Sequence, residues 1–296
     1  MNGEDTGVIE VEGYEIKVSH PGKMLWAELG IHKAMYLQKL IALAPYLLLY
    51  CKNRYLTTIR YPSGVGGQFF YQKNAPKPLP EFVSTATHDG VDYINLNSLP
   101  TLLWLGNLAA LEFHPSFDYI GREEPAEWVL DIDPSEQLVG RLMEAVSLIG
   151  EALESMGIQS VPKTSGATGI QIVIPIRRGY TFGQLRMLGE FLARFLTEKY
   201  PDLFTTERMI RERDDKIYID YVQHAPGKSL AAPYTPRGRE HAAVSTPLLW
   251  EEVRHGVDPK AFNLLTIERR LEQYGDLIST VAEQSLDDVL AFVNIK

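Results

Sequence analysis

A chain of 296 residues, 45% of them apolar, has enough material for a full core in one large domain or two lobes. Its single cysteine, Cys51, excludes an internal disulfide and fits a reducing cytoplasm. The net charge of −9 argues, taken whole, against a polyanionic partner, yet between Ile16 and Pro80 nine Lys and Arg stand against one acid, Glu28, a local +8.

The N-terminus, MNGEDTGVIE, is acidic where a secretory signal would be basic and then apolar. Residues 1–14 are expected to be a flexible start, and 15–296 one compact unit with interleaved lobes. AMYLQKLIALAPYLLLYC (Ala34 to Cys51) has helical apolar spacing, and Pro45 is expected to kink or end that helix. Its most apolar run, Leu40 to Tyr50, is short for a bilayer, so no membrane span is expected. A basic stretch that also carries a helix pattern predicts a folded positive face suited to phosphates; a solvated Lys-rich surface is the alternative.

Next come a strand, YLTTIRYP, a Gly-rich turn, SGVGG, and the aromatic-basic run QFFYQKNAP. DYINLN alternates as a strand does, and SLPTLLWLGNLAALEFHP opens as a helix with Ser98 at its N-cap. EWVLDID reads as a strand, and Ser135 to Gly157 as an amphipathic helix capped by Ser135 and stopped by Gly157. PKTSGATG reads as a turn, IQIVIPI as a strand, FGQLRMLGEFLARFLTEKYP as a second amphipathic helix and KIYIDYVQ as another strand. Beyond Pro247 the pattern is mostly short helices. Strands joined by both hairpins and helices predict α+β lobes and do not suit a doubly wound parallel sheet.

Two acids, Asp131 and Asp133, break the apolar strand WVLDID one residue apart. On a strand, positions i and i+2 share a face, so the two carboxylates lie side by side. Unpaired, they would repel and suffer desolvation, so something cationic is needed between them. Arg or Lys partners would serve; a magnesium or manganese ion, which prefers oxygen ligands and leaves room for phosphates, would serve better. Asp220, set among aromatic and β-branched neighbours on a later strand, is the natural third ligand and would allow two metals. A D-x-D alone is weak, and on these residues a buried ion network or a sugar-nucleotide transferase stays open. The small residues of TSGATG suit close approach of backbone amides to phosphate, although the segment lacks the ending of a P-loop and also reads as a plain hairpin turn. His114 precedes the first acid-bearing strand and Arg237 follows the last; each could be structural, or could clamp a triphosphate or a sugar hydroxyl.

Over nearly its whole length the chain resembles the polymerase domain of bacterial ligase D, a branch of the archaeo-eukaryotic primase superfamily. The stretches that carry the resemblance are SHPGKMLW, GIHKAMYL, RYPSGVGGQFFYQKNAP, LEFHP, WVLDIDP, TSGATGIQIVIPI and IYIDYVQHAPGKSLAAPYTPRGREHAAVSTPLLWEEV. The resemblance implies a two-lobed primase-polymerase fold, in which an RRM-like catalytic sheet packs against a second α/β lobe. It implies nucleotide addition at broken or gapped DNA during double-strand break repair, with a preference for ribonucleotides and for manganese. Asp131, Asp133 and Asp220 then fall on the metal-binding and catalytic positions. Ser165, Gly166, Thr168 and Gln171 fall in the motif that holds the incoming triphosphate, with His114, Arg213, Gln223 and Arg237 as further nucleotide contacts. His20, Lys23 and Lys33 fall on the pocket for a DNA 5′-phosphate. Phe70 and Tyr71 fall on an aromatic pair that stacks on the template, in keeping with the basic stretch around them.

Several positions depart from the family pattern. Thr168 stands where Lys is usual, Gln171 where His is usual, His224 where Asn is expected after the third acid, and His20 where Asn is usual. A glutamine donates hydrogen bonds but carries no charge or proton, so neutralisation of the leaving pyrophosphate is weakened. The rival reading is therefore a module that binds 5′-phosphate DNA ends with reduced or lost polymerase activity; a nuclease built on the same acids is a third. The implied partners are DNA ends or gapped duplex, NTP or dNTP, a DNA ligase and a Ku-type protein, in a bacterial cytoplasm at the nucleoid.

Overall fold

The computed structural model describes residues 6–295. The chain divides into two compact units, each assembled from separate stretches of sequence. One comprises residues up to Ser116 with Ser229–Ser245 and Lys260–Glu272; the other comprises Phe117–Lys228, Thr246–Pro259 and the residues from Gln273 onward. Both mix sheets with helices, as the α+β expectation required.

The first unit opens with a hairpin of β1 (Thr6–Val11) and β2 (Tyr14–Ser19), so residues 6–11 of the stretch expected to be a flexible start are strand; residues 1–5 lie outside the described residues. Short strands β3 (Met24–Trp26) and β4 (Ile31–His32) lead into α1 (Lys33–Cys51). Its N-cap is His32, whose ring accepts the Met35 amide at 3.3 Å. Pro45 does not end α1. It lies on the exposed side of the helix, where water can take the hydrogen bond that the Ile41 carbonyl loses. α1 has the length and apolarity to cross a bilayer on those counts alone. In this structure Tyr36, Leu37, Leu40, Leu43 and Leu47 are buried in the first unit's core.

β5 (Arg54–Arg60), β6 (Phe70–Gln72), β7 (Ser84–His88) and β8 (Val91–Asn95) form the path β6-β5-β8-β7. α2 (Leu99–Asn107) has its N-cap at Ser98, whose hydroxyl accepts the Thr101 amide. The chain then turns at Ala109, which has positive φ, and becomes the ten-residue strand β9 (Ala110–Tyr119), paired to β5. The apolar run LAALEF fits either period, which is why the sequence conceals this strand.

The second unit is built on a sheet of order β11-β12-β10-β14-β13, antiparallel except between its last two strands. Its members are β10 (Glu127–Asp133), β11 (Val161–Thr164), β12 (Ile170–Pro175), β13 (Phe204–Thr205) and β14 (Ile217–Asp220). The helices are α3 (Leu142–Ser155), α4 (Phe182–Lys199), α5 (Trp250–His255) and α7 (Asp287–Ile295); α6 (Ile267–Tyr274) straddles the division between units. α4 carries a full capping box between Thr181 and Gln184. Ser135, by contrast, caps nothing, because its hydroxyl donates to the Asp215 carbonyl. The turn after it is 3-10 over Glu136–Arg141, so α3 begins later than the apolar pattern suggests.

Candidate active site

In the second unit, strand pairing lines up one residue from each of four strands. Lys163 on β11 lies opposite Gln171 on β12, Gln171 opposite Asp131 on β10, and Asp131 opposite Asp220 on β14. Residues directly opposite across antiparallel strands share a face, so Lys, Gln, Asp and Asp form one row across the sheet. Asp133 stands two residues on, opposite Tyr218, and therefore on the same face as Asp131. All three acids are half-buried, whereas Lys163 and Gln171 are almost wholly buried.

Side chains tie the row together. The Lys163 ammonium donates to Gln171 Oε1, and Gln171 hydrogen-bonds the Asp131 carboxylate. Because the Gln171 oxygen takes the lysine, its NH2 group is what reaches Asp131. Burial, then the neighbouring charge of Asp133, pushes the Asp131 carboxyl up to about 7; Gln171 and Lys163 hold it down and Asp220 adds to the rise. Burial also raises Asp133, with the Arg213 guanidinium opposing and Asp220 adding. Asp220 Oδ1 accepts the amides of Val222 and Gln223 at 3.0 and 2.8 Å, and the Tyr218 hydroxyl bonds the same carboxylate. Arg213 lies over the Tyr218 ring at 4.1 Å and donates to the carbonyls of Glu207 and Arg208.

The turn between β11 and β12 closes on this row. Ser165 Oγ accepts the amides of Ala167 and Gly169, both at 3.1 Å, and Gly166 has φ 70°. A Cβ on Gly169 would come within 2.6 Å of the Ile132 carbonyl oxygen and 2.9 Å of Asp133 Oδ1, so glycine is what lets the turn lie against the acids. Thr168 is exposed. Residues 162–164, expected in the turn, belong to β11, and reading them as turn hides Lys163. His224 is buried, its ring against Phe117 and Phe182 and its Nε2 2.8 Å from the Glu127 carbonyl oxygen.

The donor chemistry and strand register fit a hard divalent cation: three carboxylates on one sheet face, close enough to perturb one another. Among the described residues, however, no three His, Cys, Asp or Glu side chains are drawn together as a ready cluster. Each carboxylate is instead engaged separately, Asp131 by Gln171, Asp133 by the Arg213 charge and Asp220 by the Val222 and Gln223 amides.

The first unit carries the other candidates. His114, on β9, sets its Nε2 3.0 Å from Glu112 Oε2, and Arg237 Nε donates to the same oxygen at 2.7 Å. The sequence pattern singles out His114 and Arg237 but misses Glu112, which a lone acid inside LEFHP could have flagged. Phe70 and Tyr71 are exposed on β6, with the Arg60 guanidinium over the Phe70 ring; Phe69, also exposed, stacks on Tyr61. His20 and Lys23 are exposed in the turn before β3, joined by a hydrogen bond from the Lys23 amide to the His20 carbonyl. Lys33 is buried, its ammonium donating to Ser19 O, Ser19 Oγ and Asn107 Oδ1. Burial and then the nearby Lys23 charge lower its pKa. Lys33 thus stands behind Lys23 as a second positive charge, anchored to β2 and α2.

Residues 32–278 match the family described as LigD, primase-polymerase domain. The chain is 40% identical over 245 residues to the bifunctional non-homologous end joining protein LigD of Bacillus subtilis, covering 82% of this chain and 40% of that protein. It is 28% identical over 280 residues to the multifunctional non-homologous end joining protein LigD of Mycolicibacterium smegmatis, covering 91% and 36%. The chain therefore spans about two fifths or less of the length of these relatives. Among solved structures it is similar to the polymerase domain of Mycobacterium tuberculosis ligase D in complex with DNA, with TM-score 0.81 and 25% identity over 93% of this chain and 98% of that one.

Proposed function

This chain belongs to the LigD primase-polymerase family, and from that premise we propose that it is a nucleotidyltransferase that extends or fills DNA ends in double-strand break repair. The observation that carries the reading is the row Lys163–Gln171–Asp131–Asp220, with Asp133 beside it. Acids set among apolar strand residues, with Asp131 pushed up to about 7, are a costly arrangement in the absence of a cation and a useful one with it. Asp131, Asp133 and Asp220 would hold manganese or magnesium, whose chemistry is to activate a 3′-hydroxyl and to stabilise the leaving pyrophosphate. Gln171 and Lys163 orient Asp131 from along the row. Arg213 and the Ser165–Gly166 part of the turn would meet a triphosphate, with Thr168 at the exposed edge and Gln223 beside Asp220, while the Ala167 and Gly169 amides brace the turn by donating to Ser165 Oγ.

In the first unit, His114 and Arg237 are the proposed contacts for the nucleotide, with ribose favoured through its 2′-hydroxyl. Phe70 and Tyr71 offer faces on which template bases stack, and His20 and Lys23, backed by Lys33, take a 5′-phosphate. A DNA ligase and a Ku-type end-binding protein are the partners this activity calls for, in a bacterial cytoplasm at the nucleoid. Primer extension with manganese tests the reading. Asp131→Ala should abolish incorporation while DNA binding persists, and extension at the wild-type rate would defeat it. Lys23→Ala should erase any preference for a 5′-phosphorylated recessed end.

A second reading, an end-binding module of weakened catalysis, is favoured by one observation: Gln171, at the position where a histidine would reach the triphosphate, is buried and engaged by Lys163 and Asp131. An inactive wild type beside an active Gln171→His variant would select it.

A further inference from the structure

Glu112 is 2% exposed and gathers hydrogen bonds from three parts of the first unit. Oε2 takes His114 Nε2 at 3.0 Å and Arg237 Nε at 2.7 Å; Oε1 takes the Tyr61 hydroxyl at 2.9 Å and the Gly238 amide at 3.0 Å. Burial alone would raise its pKa, but the His114 hydrogen bond, the Arg237 and His114 charges and the Gly238 amide outweigh that and bring it down to about 2. The carboxylate is therefore a permanent anion beside two groups suited to binding anions, which subtracts from their charge. Its use must lie in where it holds them.

What it holds is the wall of a cavity of about 240 Å3 lined by Tyr61, Phe69, Tyr71, Arg237 and Arg239 together with Glu112 itself. That volume falls below the ~300 Å3 at which drug-sized sites begin, and suits one ring or sugar rather than a whole nucleotide. Arg237, anchored at Nε, has its guanidinium plane fixed; Gly238 lies so close to Tyr61 that an added Cβ would sit 2.1 Å from the ring. The backbone at 237–239 is held from the other side by hydrogen bonds from the Arg237 amide to Ala243 O and from Trp26 Nε1 to Arg239 O.

We propose that Glu112 is the positioning residue of this pocket: it clamps Arg237 and Tyr61, which line it, and His114, which shares the same carboxylate outside the lining, in the geometry that receives the base or sugar of the incoming nucleotide. This role rests on the polymerase reading above, since it takes the nucleotide as ligand. Glu112 acts through its partners and takes no part in bond making.

The test is Glu112→Gln in primer extension with manganese, beside wild type, Arg237→Ala and the double variant. Glutamine keeps the size and can still accept from Tyr61 and Gly238, but sets an NH2 group against the Arg237 and His114 donors. KM for the nucleotide should rise about tenfold or more while kcat at saturation falls much less, with affinity for 5′-phosphate DNA unchanged. The double variant should lose no more than the worse single one, because both changes remove the same clamp. An unchanged KM, losses that multiply in the double variant, or loss of DNA binding in step with loss of nucleotide binding would overturn the role. Should Glu112→Gln fail to fold, Tyr61→Phe, which removes one donor to Oε1, must raise KM in the same way or the proposal falls. A wild type that extends no primer refutes the polymerase reading and this role with it, whereas an active wild type matched by Glu112→Gln refutes this role alone.

Discussion

Asp131→Asn should make the metal-free protein more stable as it destroys activity. The Asp131 carboxyl ionises near 3.8 in an unfolded chain and is pushed up to about 7 in the folded one, by burial and then by Asp133. A raised carboxyl pKa means that the folded chain binds the proton more tightly, so stability falls as pH rises from the unfolded value to the folded one and stays low above it. At pH 7.5 the cost reaches at most about 4 kcal/mol, at 1.36 kcal/mol per pKa unit, and about 2 kcal/mol once the strain shared with Asp133 and Asp220 is discounted. Asparagine removes the charge, and its side-chain oxygen still accepts from Gln171. Denaturant unfolding in EDTA at pH 7.5 should therefore show a gain of about 2 to 4 kcal/mol, a Tm rise of roughly 3–6 °C in a chain of this size. Near pH 4 the gain should shrink below about 1 kcal/mol, since the wild-type folded chain then carries the proton. Manganese should stabilise the wild type and leave the variant almost unmoved. A variant less stable than wild type at pH 7.5, or a gain that does not shrink with acid, would refute the account of Asp131 as a strained anion awaiting a cation.

Gly169→Ala should cost about 1–3 kcal/mol in denaturant unfolding and weaken manganese binding, because its Cβ would press on the Ile132 carbonyl and Asp133 Oδ1; unchanged binding would separate the turn from the acids. Phe70→Ala with Tyr71→Ala should leave Tm within about 1 °C, as both rings are exposed, while weakening single-strand template binding by about 1–3 kcal/mol per lost stack. Lys163→Met should lower manganese affinity, read by electron paramagnetic resonance of the free ion, because Gln171 loses the partner that turns its NH2 toward Asp131. Rescue by Gln171→Glu in the Lys163→Met background would contradict that orientation.

The three acids are legible in the sequence because each interrupts an apolar strand, a local conflict that marks functional sites. Their assembly is half legible: spacing puts Asp131 and Asp133 on one face, but nothing in the sequence states that β14 pairs with β10 so that Asp220 faces Asp131. Sheet register is a property of the whole unit, set by which faces must be buried. The same limit conceals Lys163 and Glu112, whose meaning depends on partners 8 and 125 residues away in the chain.

Lys163 also changes how the departures at Thr168 and Gln171 are understood. Along the sequence, losing a lysine and a histidine from the triphosphate motif leaves the site short of positive charge. Across the sheet, a buried ammonium stands in the same row as the acids, one strand beyond Gln171. A histidine at 171 would bring a second cationic group beside that ammonium, at a desolvation cost and with mutual repulsion. Glutamine instead accepts from the lysine and donates to the aspartate, so both neighbours are satisfied by a neutral side chain. The departure thus fits its surroundings as a coherent pair, with a positive charge at the Lys163 end of the row and the neutral glutamine joining it to Asp131.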